Sequence, residues 1–182
     1  MTDASPEELM LSYIAGDTSA FDLLYRRIAP QLNAYLLRLT RDRARADDLL
    51  QVTFTKLYRA RGSYLVGAPL MPWVIAIARR SFLDERRSAK SRNEDLSVDG
   101  NLPEPPRVDE PPATDTSEAI DRALDSLPEA YREAIQLTKV VGLSLVEAAE
   151  VLETTPTAVK LRVHRGYTML RKQLLHLQRP TV

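Results

Sequence analysis

The stretch that most constrains this chain lies near its C-terminal end, GLSLVEAAEVLETTPTAVKLRVHRGYTMLRKQLL, from Gly142 to Leu175. It reads as a short helix, a tight turn and a basic helix. Ser144 is a good N-cap, and Glu147 three residues on completes a capping box. Leu145, Ala148, Ala149 and Leu152 then recur at helical spacing. Glu153-Thr154-Thr155 interrupts the pattern. Thr155 caps a second helix, with Pro156 in its first turn, where proline is tolerated. Val159, Val163, Tyr167, Leu170 and Leu174 form the expected buried stripe of that helix, while Lys160, Arg162, His164, Arg165, Arg171 and Lys172 lie mostly off it. No acidic residue occurs from Thr155 to Val182.

An apolar helix, a short turn and a basic helix make a helix-turn-helix, whose second helix can enter the major groove. The plainer reading is an amphipathic hairpin with a solvated basic face. The acid-free run and the caps favour DNA. In that geometry Thr157, Lys160, Arg162, His164 and Arg165 are the expected contacts, with Arg162 reading bases, because a guanidinium matches the two acceptors of guanine.

A formal net charge of zero by itself argues against a nucleic-acid binder, but the charge is unevenly placed. Residues 93–118 hold eight acids against Arg107 alone, out of 25 Lys/Arg and 25 Asp/Glu in the chain, so 24 basic and 17 acidic residues remain elsewhere. The cations gather at Arg79–Arg92 and Lys160–Arg179. Five prolines accompany the acids, and hydrophobic periodicity is lost over 93–116, which predicts a flexible acidic linker.

Ahead of that linker the pattern is helical. Ser5-Pro6-Glu7-Glu8 opens a short helix to about Ala15; Gly16 ends it and Asp17 caps the next. Phe21, Leu24, Tyr25 and Ile28, then Leu32, Tyr35, Leu36 and Leu39, form one stripe, with Pro30 a point of kinking. A third helix spans about Ala44 to Arg61, with Leu50, Phe54, Leu57 and Tyr58 apolar. Gly62, Gly67 and Pro69 mark a loop. The segment MPWVIAIARRSFLDERRSAKSR is a further helix, with Trp73, Val74, Ile77, Ala78 and Phe82 on its buried side and Arg79, Arg80, Arg86 and Arg87 in its basic half. Ser117–Asp125 and Pro128–Val141 are two more helices, the latter with a Ser126/Glu129 capping box. The expected fold is all-α: two small helical domains, 5–92 and 117–178, joined by the linker 93–116.

The functional readings of single residues stay open at this level. Trp73 and Tyr64 are either core aromatics or platforms that stack an unpaired base. Asp47 and Asp48 either complement a helix dipole or face a basic partner. No catalytic constellation, phosphate loop or metal motif emerges. The chain has no cysteine and two histidines, so no cofactor and no metal are expected. No stretch approaches the roughly eighteen uninterrupted apolar residues of a membrane span, and a cytoplasmic protein without membrane insertion is expected.

Taken together the chain resembles the extracytoplasmic-function (ECF) sigma factors. The resemblance runs over GDTSAFDLLYRRIAPQLNAYLLRLTRDRARADDLLQVTFTKLYRA, MPWVIAIARRSFLDERR and LPEAYREAIQLTKVVGLSLVEAAEVLETTPTAVKLRVHRGYTMLRKQL, nearly the whole length. It implies an alternative sigma factor, not an enzyme, that binds core RNA polymerase and promoter DNA and has an anti-sigma factor as a further partner. It implies that Asp47, Asp48, Leu50, Gln51 and Phe54 dock the polymerase, and that Tyr64, Trp73, Arg79, Arg80, Arg86 and Arg87 meet the −10 element. The −35 element falls to the basic helix. Val52, Ala76 and Leu161 depart from the family pattern, which favours an acid, an arginine and a serine there. Two rival readings are an ordinary helix-turn-helix regulator and a sigma mimic that sequesters an anti-sigma factor.

Overall fold

The computed structural model describes residues 4–96 and 122–177. Among the described residues there is helix and no strand. The chain divides into two compact units, Met1–Val108 and Asp109–Val182. Nearly all of the predicted linker, and residues 117–121 of the helix expected from Ser117, lie outside the described residues.

Among its described residues the first unit holds four helices: α1 (Pro6–Ile14), α2 (Thr18–Thr40), α3 (Arg43–Ala60) and α4 (Leu70–Leu96), with a 3₁₀ turn at Arg61–Ser63. Their ends follow local chemistry. Ser5 and Glu8 form a reciprocal capping box on α1. Asp17 accepts from the Ser19 N–H at 2.9 Å and the Ser19 hydroxyl at 2.6 Å, starting α2. The Ser19 hydroxyl, then its N–H, holds the Asp17 carboxyl below its ordinary value. Asp42 accepts from Arg45 N–H at 3.1 Å to cap α3. α2 runs unbroken through Pro30, which faces solvent, so the missing donor is lost on the hydrated side.

Met10, Leu24, Ile28, Leu32, Tyr35, Leu36, Leu57, Leu70, Val74 and Ile75 fill the core of this unit. Among the expected stripe residues, Phe21, Leu39 and Ile77 are only half-buried, and two tyrosines lie outside the core altogether. Tyr25 and Tyr58 are exposed: Tyr25 lies against Phe54 with ring centroids 4.5 Å apart, and Tyr58 carries the Arg61 guanidinium 4.3 Å above its ring. On α4, Ile75 rather than Ile77 is fully buried. The pairs Arg45–Glu85 at 3.1 Å and Lys56–Asp84 at 3.6 Å fasten α3 to α4.

The second unit begins with a helical turn at 122–125. α5 (Glu129–Ile135) follows and continues as a π-helical turn, Gln136–Val140. Then come α6 (Leu145–Val151) and α7 (Pro156–Leu177). The expected Ser126/Glu129 capping box is absent. Leu127 is buried and its N–H is spent on Leu124 carbonyl, so α5 starts later, with Pro128 as its cap. The Ser126 hydroxyl instead donates to Ala123 carbonyl at 2.7 Å and bonds Gln173 at 2.8 Å. Ala123, Leu124, Leu127, Ile135 and Leu170 form a core cluster, with Val163 and Met169 against it.

The helix-turn-helix itself follows the expected chemistry. Ser144 and Glu147 make the capping box of α6. The Thr155 hydroxyl accepts from Ala158 N–H at 3.2 Å and caps α7. The turn between them is closed by Glu153, whose φ of 52° is left-handed, and by Thr154 N–H donating to Ala149 carbonyl at 2.9 Å. The buried stripe differs by one position. It runs Val159, Gly166 and Leu170 with Val163 half-buried; Tyr167 is exposed, and Leu174 falls outside the residues whose side chains are described. On α6 Val151 is buried, while Leu145 stays at the rim.

Candidate functional site

Three surfaces carry the residues singled out in the sequence. The first is the outer face of α3. Asp47, Asp48 and Gln51 are exposed there, and Val52 beside them is exposed as well. Leu50 and Phe54 are not on that face: they are 8% and 6% exposed, and the Phe54 ring sits between Phe21 and Tyr25 at centroid distances of 6.1 and 4.5 Å. They support the acidic face from beneath. An ideal helix puts Leu49, Thr53 and Leu57 on the buried side with them.

The second surface is the first half of α4 and the loop before it. Trp73 is half-buried, with its ring 5.4 Å from that of Tyr64 at 48°. Tyr64 is buried, and its hydroxyl donates to the Ala68 carbonyl, so it underlies the loop and does not reach out from it. Burial, and next the Glu7 carboxylate, push its phenol above the ordinary value of 10.0. Ideal spacing brings Trp73, Arg80 and Arg87 within about 40° of one another around the helix. Arg79 and Arg86 lie together about 120° further round. Arg86 packs over the Phe82 ring at 5.6 Å, and Arg87 approaches Asp84 at 4.0 Å. The aromatic-basic set is therefore one ridge, Trp73–Arg80–Arg87, and one flank. Leu65 and Val66, which do not figure among the expected site residues, are the most solvent-exposed large apolar residues described, at 75% and 77%. The sequence does carry a signal for them: two adjacent apolar residues in a loop between Gly62 and Gly67.

The third surface is α7. Thr157, Lys160, His164 and Arg165 are exposed and Arg162 is half-buried. Opposite the Val159–Gly166 stripe, ideal geometry places Thr157, Leu161, His164 and Thr168 within about 60° of one another. Lys160 and Arg165 flank this row on either side, and Arg162 turns back toward the body of the unit. Leu161, 45% exposed, is at the middle of the row and was absent from the expected contact set. The spacing 157, 161, 164, 168 marks it. Such a surface, two cations bordering a row of threonines, a leucine and a histidine, suits a groove with phosphates on both sides.

Comparison with known proteins gives a consistent picture. The family model described as Sigma-70 region 2 matches residues 24–92, and Sigma-70 region 4 matches 117–170. The RNA polymerase sigma factor CarQ of Myxococcus xanthus is 36% identical over 166 residues, 90% of this chain and 94% of that protein. The ECF RNA polymerase sigma factor SigM of Mycobacterium tuberculosis is 31% identical over 175 residues, 96% of this chain and 87% of that one. Among solved structures, the sigma factor RpoE of Bartonella quintana, in a complex with the anti-sigma factor NepR, matches with a TM-score of 0.72 at 25% identity. It covers 87% of this chain and 98% of its own.

Proposed function

The chain belongs to the ECF sigma factors, alternative sigma factors of the sigma-70 family that bind core RNA polymerase and direct transcription from promoters, and from that premise we propose how its surfaces divide the work. Asp47, Asp48 and Gln51 on α3 dock the polymerase, held in place by Leu50 and Phe54 below. The α4 ridge of Trp73, Arg80 and Arg87, with Arg79 and Arg86 beside it, meets the −10 element, Trp73 stacking on an unpaired base while the arginines neutralise phosphates. Tyr64 shapes that surface from underneath. α7 enters the major groove at the −35 element. There Thr157, Leu161 and His164 face base edges, and Lys160, Arg162 and Arg165 grip phosphates.

The observation that carries this division is the outward row on α7. It begins at a capped helix start in a segment without acids, and cations border it on both sides. The domains are taken as 5–92 for polymerase and −10 binding, 93–116 as connection, and 117–178 for −35 binding. We read the chain as non-enzymatic, since its part is to direct the polymerase's reaction, and as cytoplasmic, where that polymerase works. Among the described residues no helix is long and apolar enough to cross a membrane. An anti-sigma factor is the expected inhibitory partner, by analogy with the Bartonella complex.

Run-off transcription tests the reading. Core polymerase with this chain should initiate at a defined promoter, and the −35 specificity should follow substitutions at Leu161. Binding to duplex promoter DNA without any polymerase-dependent initiation would refute it.

A further inference from the structure

One contact in the first unit joins elements far apart in the chain. α1 lies ahead of the segment 24–92 that matches region 2, yet Glu7 in its first turn reaches α4. Glu7 Oε1 accepts from the backbone N–H of Leu70 at 3.0 Å, across 63 positions. Leu70 is the first residue of α4. The first N–H groups of a helix have no partner within it, and a side chain just before the helix normally supplies one. Here that position is Pro69, which has no side-chain acceptor, and the N–H of the first helical residue, Leu70, is met by the Glu7 carboxylate. Glu8, not Glu7, completes the capping box of α1, which leaves Glu7 available for this second duty.

Burial raises the Tyr64 phenol pKa, and the charge of the same carboxylate adds to that rise. Tyr64 in turn closes the loop: its hydroxyl donates to Ala68 carbonyl, and Ala68 N–H donates to Leu65 carbonyl at 3.0 Å. Its ring also meets Trp73. The loop from Tyr64 to Pro69 is thus tied at both ends, with Leu65 and Val66 held out in solvent.

We propose that Glu7 is a positioning residue for promoter binding: by holding the Leu70 N–H it sets the start of α4 and the Tyr64–Trp73 pair, and so presents Leu65 and Val66 to the −10 strand in a preformed loop. This rests on the reading that this end of α4 faces the −10 element. A loop already ordered in the free protein does not lose that freedom on binding, which strengthens capture without any direct contact from Glu7.

The test uses full-length Glu7→Ala and Glu7→Gln, free and as holoenzyme. Glutamine keeps an oxygen that accepts from Leu70. Trp73 is the only tryptophan of the chain, so its emission and acrylamide quenching report the start of α4 directly. The DNA probes are a single-stranded oligonucleotide and a −35 duplex, each selected from a random pool by wild-type holoenzyme. Glu7→Ala should raise Trp73 quenching and weaken single-strand capture about three- to tenfold, the worth of one hydrogen bond. Core affinity and −35 binding should hold, and Glu7→Gln should recover most of both losses. An unchanged Trp73 signal or unchanged capture overturns the proposal, as does an equal fall in core, −10 and −35 binding. A Leu65→Ser, Val66→Ser variant separates the two levels. If it loses capture while Glu7→Ala does not, only the role of Glu7 falls; if it too retains capture, the promoter-face reading falls with it.

Discussion

Gly166 of α7, the helix assigned to the −35 element, packs directly against Ile135 and Tyr131 of α5. A Cβ built there would lie 2.6 Å from Ile135 Cδ1, and 3.5 Å from both Ile135 Cγ1 and Tyr131 Cβ. Two effects of Gly166→Ala oppose each other. Removing glycine from a helix interior gains about 1 kcal/mol of helix propensity. Against that, 2.6 Å is far inside the roughly 3.5–4.0 Å separation at which carbon atoms attract. Ile135 is buried among Ala123, Leu124, Leu127 and Leu170, so its end methyl has little space to retreat into. Overpacking of a core costs about 1–3 kcal/mol, which leaves Gly166→Ala destabilising by about 0–2 kcal/mol. Ile135→Val removes the offending Cδ1 and, by itself, costs about 0.5–1.5 kcal/mol. Combined with Gly166→Ala, the same deletion relieves the clash, because the remaining 3.5 Å contacts are ordinary ones. The two changes should therefore couple favourably by about 1–3 kcal/mol in a double-mutant cycle. Urea unfolding of the full chain, followed by far-UV circular dichroism, measures it. Trp73 fluorescence is a built-in control, since it lies in the other unit and its transition should not move. If Gly166→Ala alone stabilises by about 1 kcal/mol, or the cycle is additive within about 0.5 kcal/mol, the close-approach argument is wrong.

Three further outcomes follow from the placement of side chains. Leu161→Ala should change base preference at one −35 position, through loss of an apolar contact such as one to a thymine methyl. Lys160→Ala and Arg162→Ala should weaken a panel of −35 variants uniformly and flatten the salt dependence; a base-selective loss for Arg162→Ala would return it to base readout. Phe54→Ala should cost about 3–5 kcal/mol of stability by emptying a buried aromatic site, whereas Asp48→Lys should leave melting unchanged and weaken core polymerase binding in a pull-down. Asp17 has a folded pKa below its ordinary 3.8, so its contribution is present above that value and fades as pH falls through the lowered one. Ser19→Ala should bring the Asp17 carboxyl back toward 3.8, as read by NMR titration.

Much of this architecture was legible in the residues themselves, and the reason is locality. The boxes Ser5/Glu8 and Ser144/Glu147 and the caps at Asp17 and Thr155 are bonds between groups two or three positions apart. Their partners are written side by side in the chain, and the helix boundaries came with them. The basic, acid-free second helix of the helix-turn-helix was equally plain, because net charge along a segment needs no partner to define it. Where a proline stood next to the cap, at Ser126-Leu127-Pro128, the local pattern misled: Leu127 was drawn into the core and its N–H went to the preceding turn.

What the tertiary structure alone decided is which side of each stripe is pressed inward. Tyr25, Tyr58 and Tyr167 sit at apolar positions of their helices yet are exposed, while Leu50 and Phe54 lie beneath the docking face they were expected to form. Helical spacing defines a stripe only to within a residue. Its centre is set by the helix that packs on it, and α5 comes so near α7 that a glycine, not the neighbouring tyrosine, fits between them. The same holds for Glu7. Nothing around it announces an acceptor for Leu70, since a cap supplied from 63 residues away is a property of how helices meet and not of either segment read by itself.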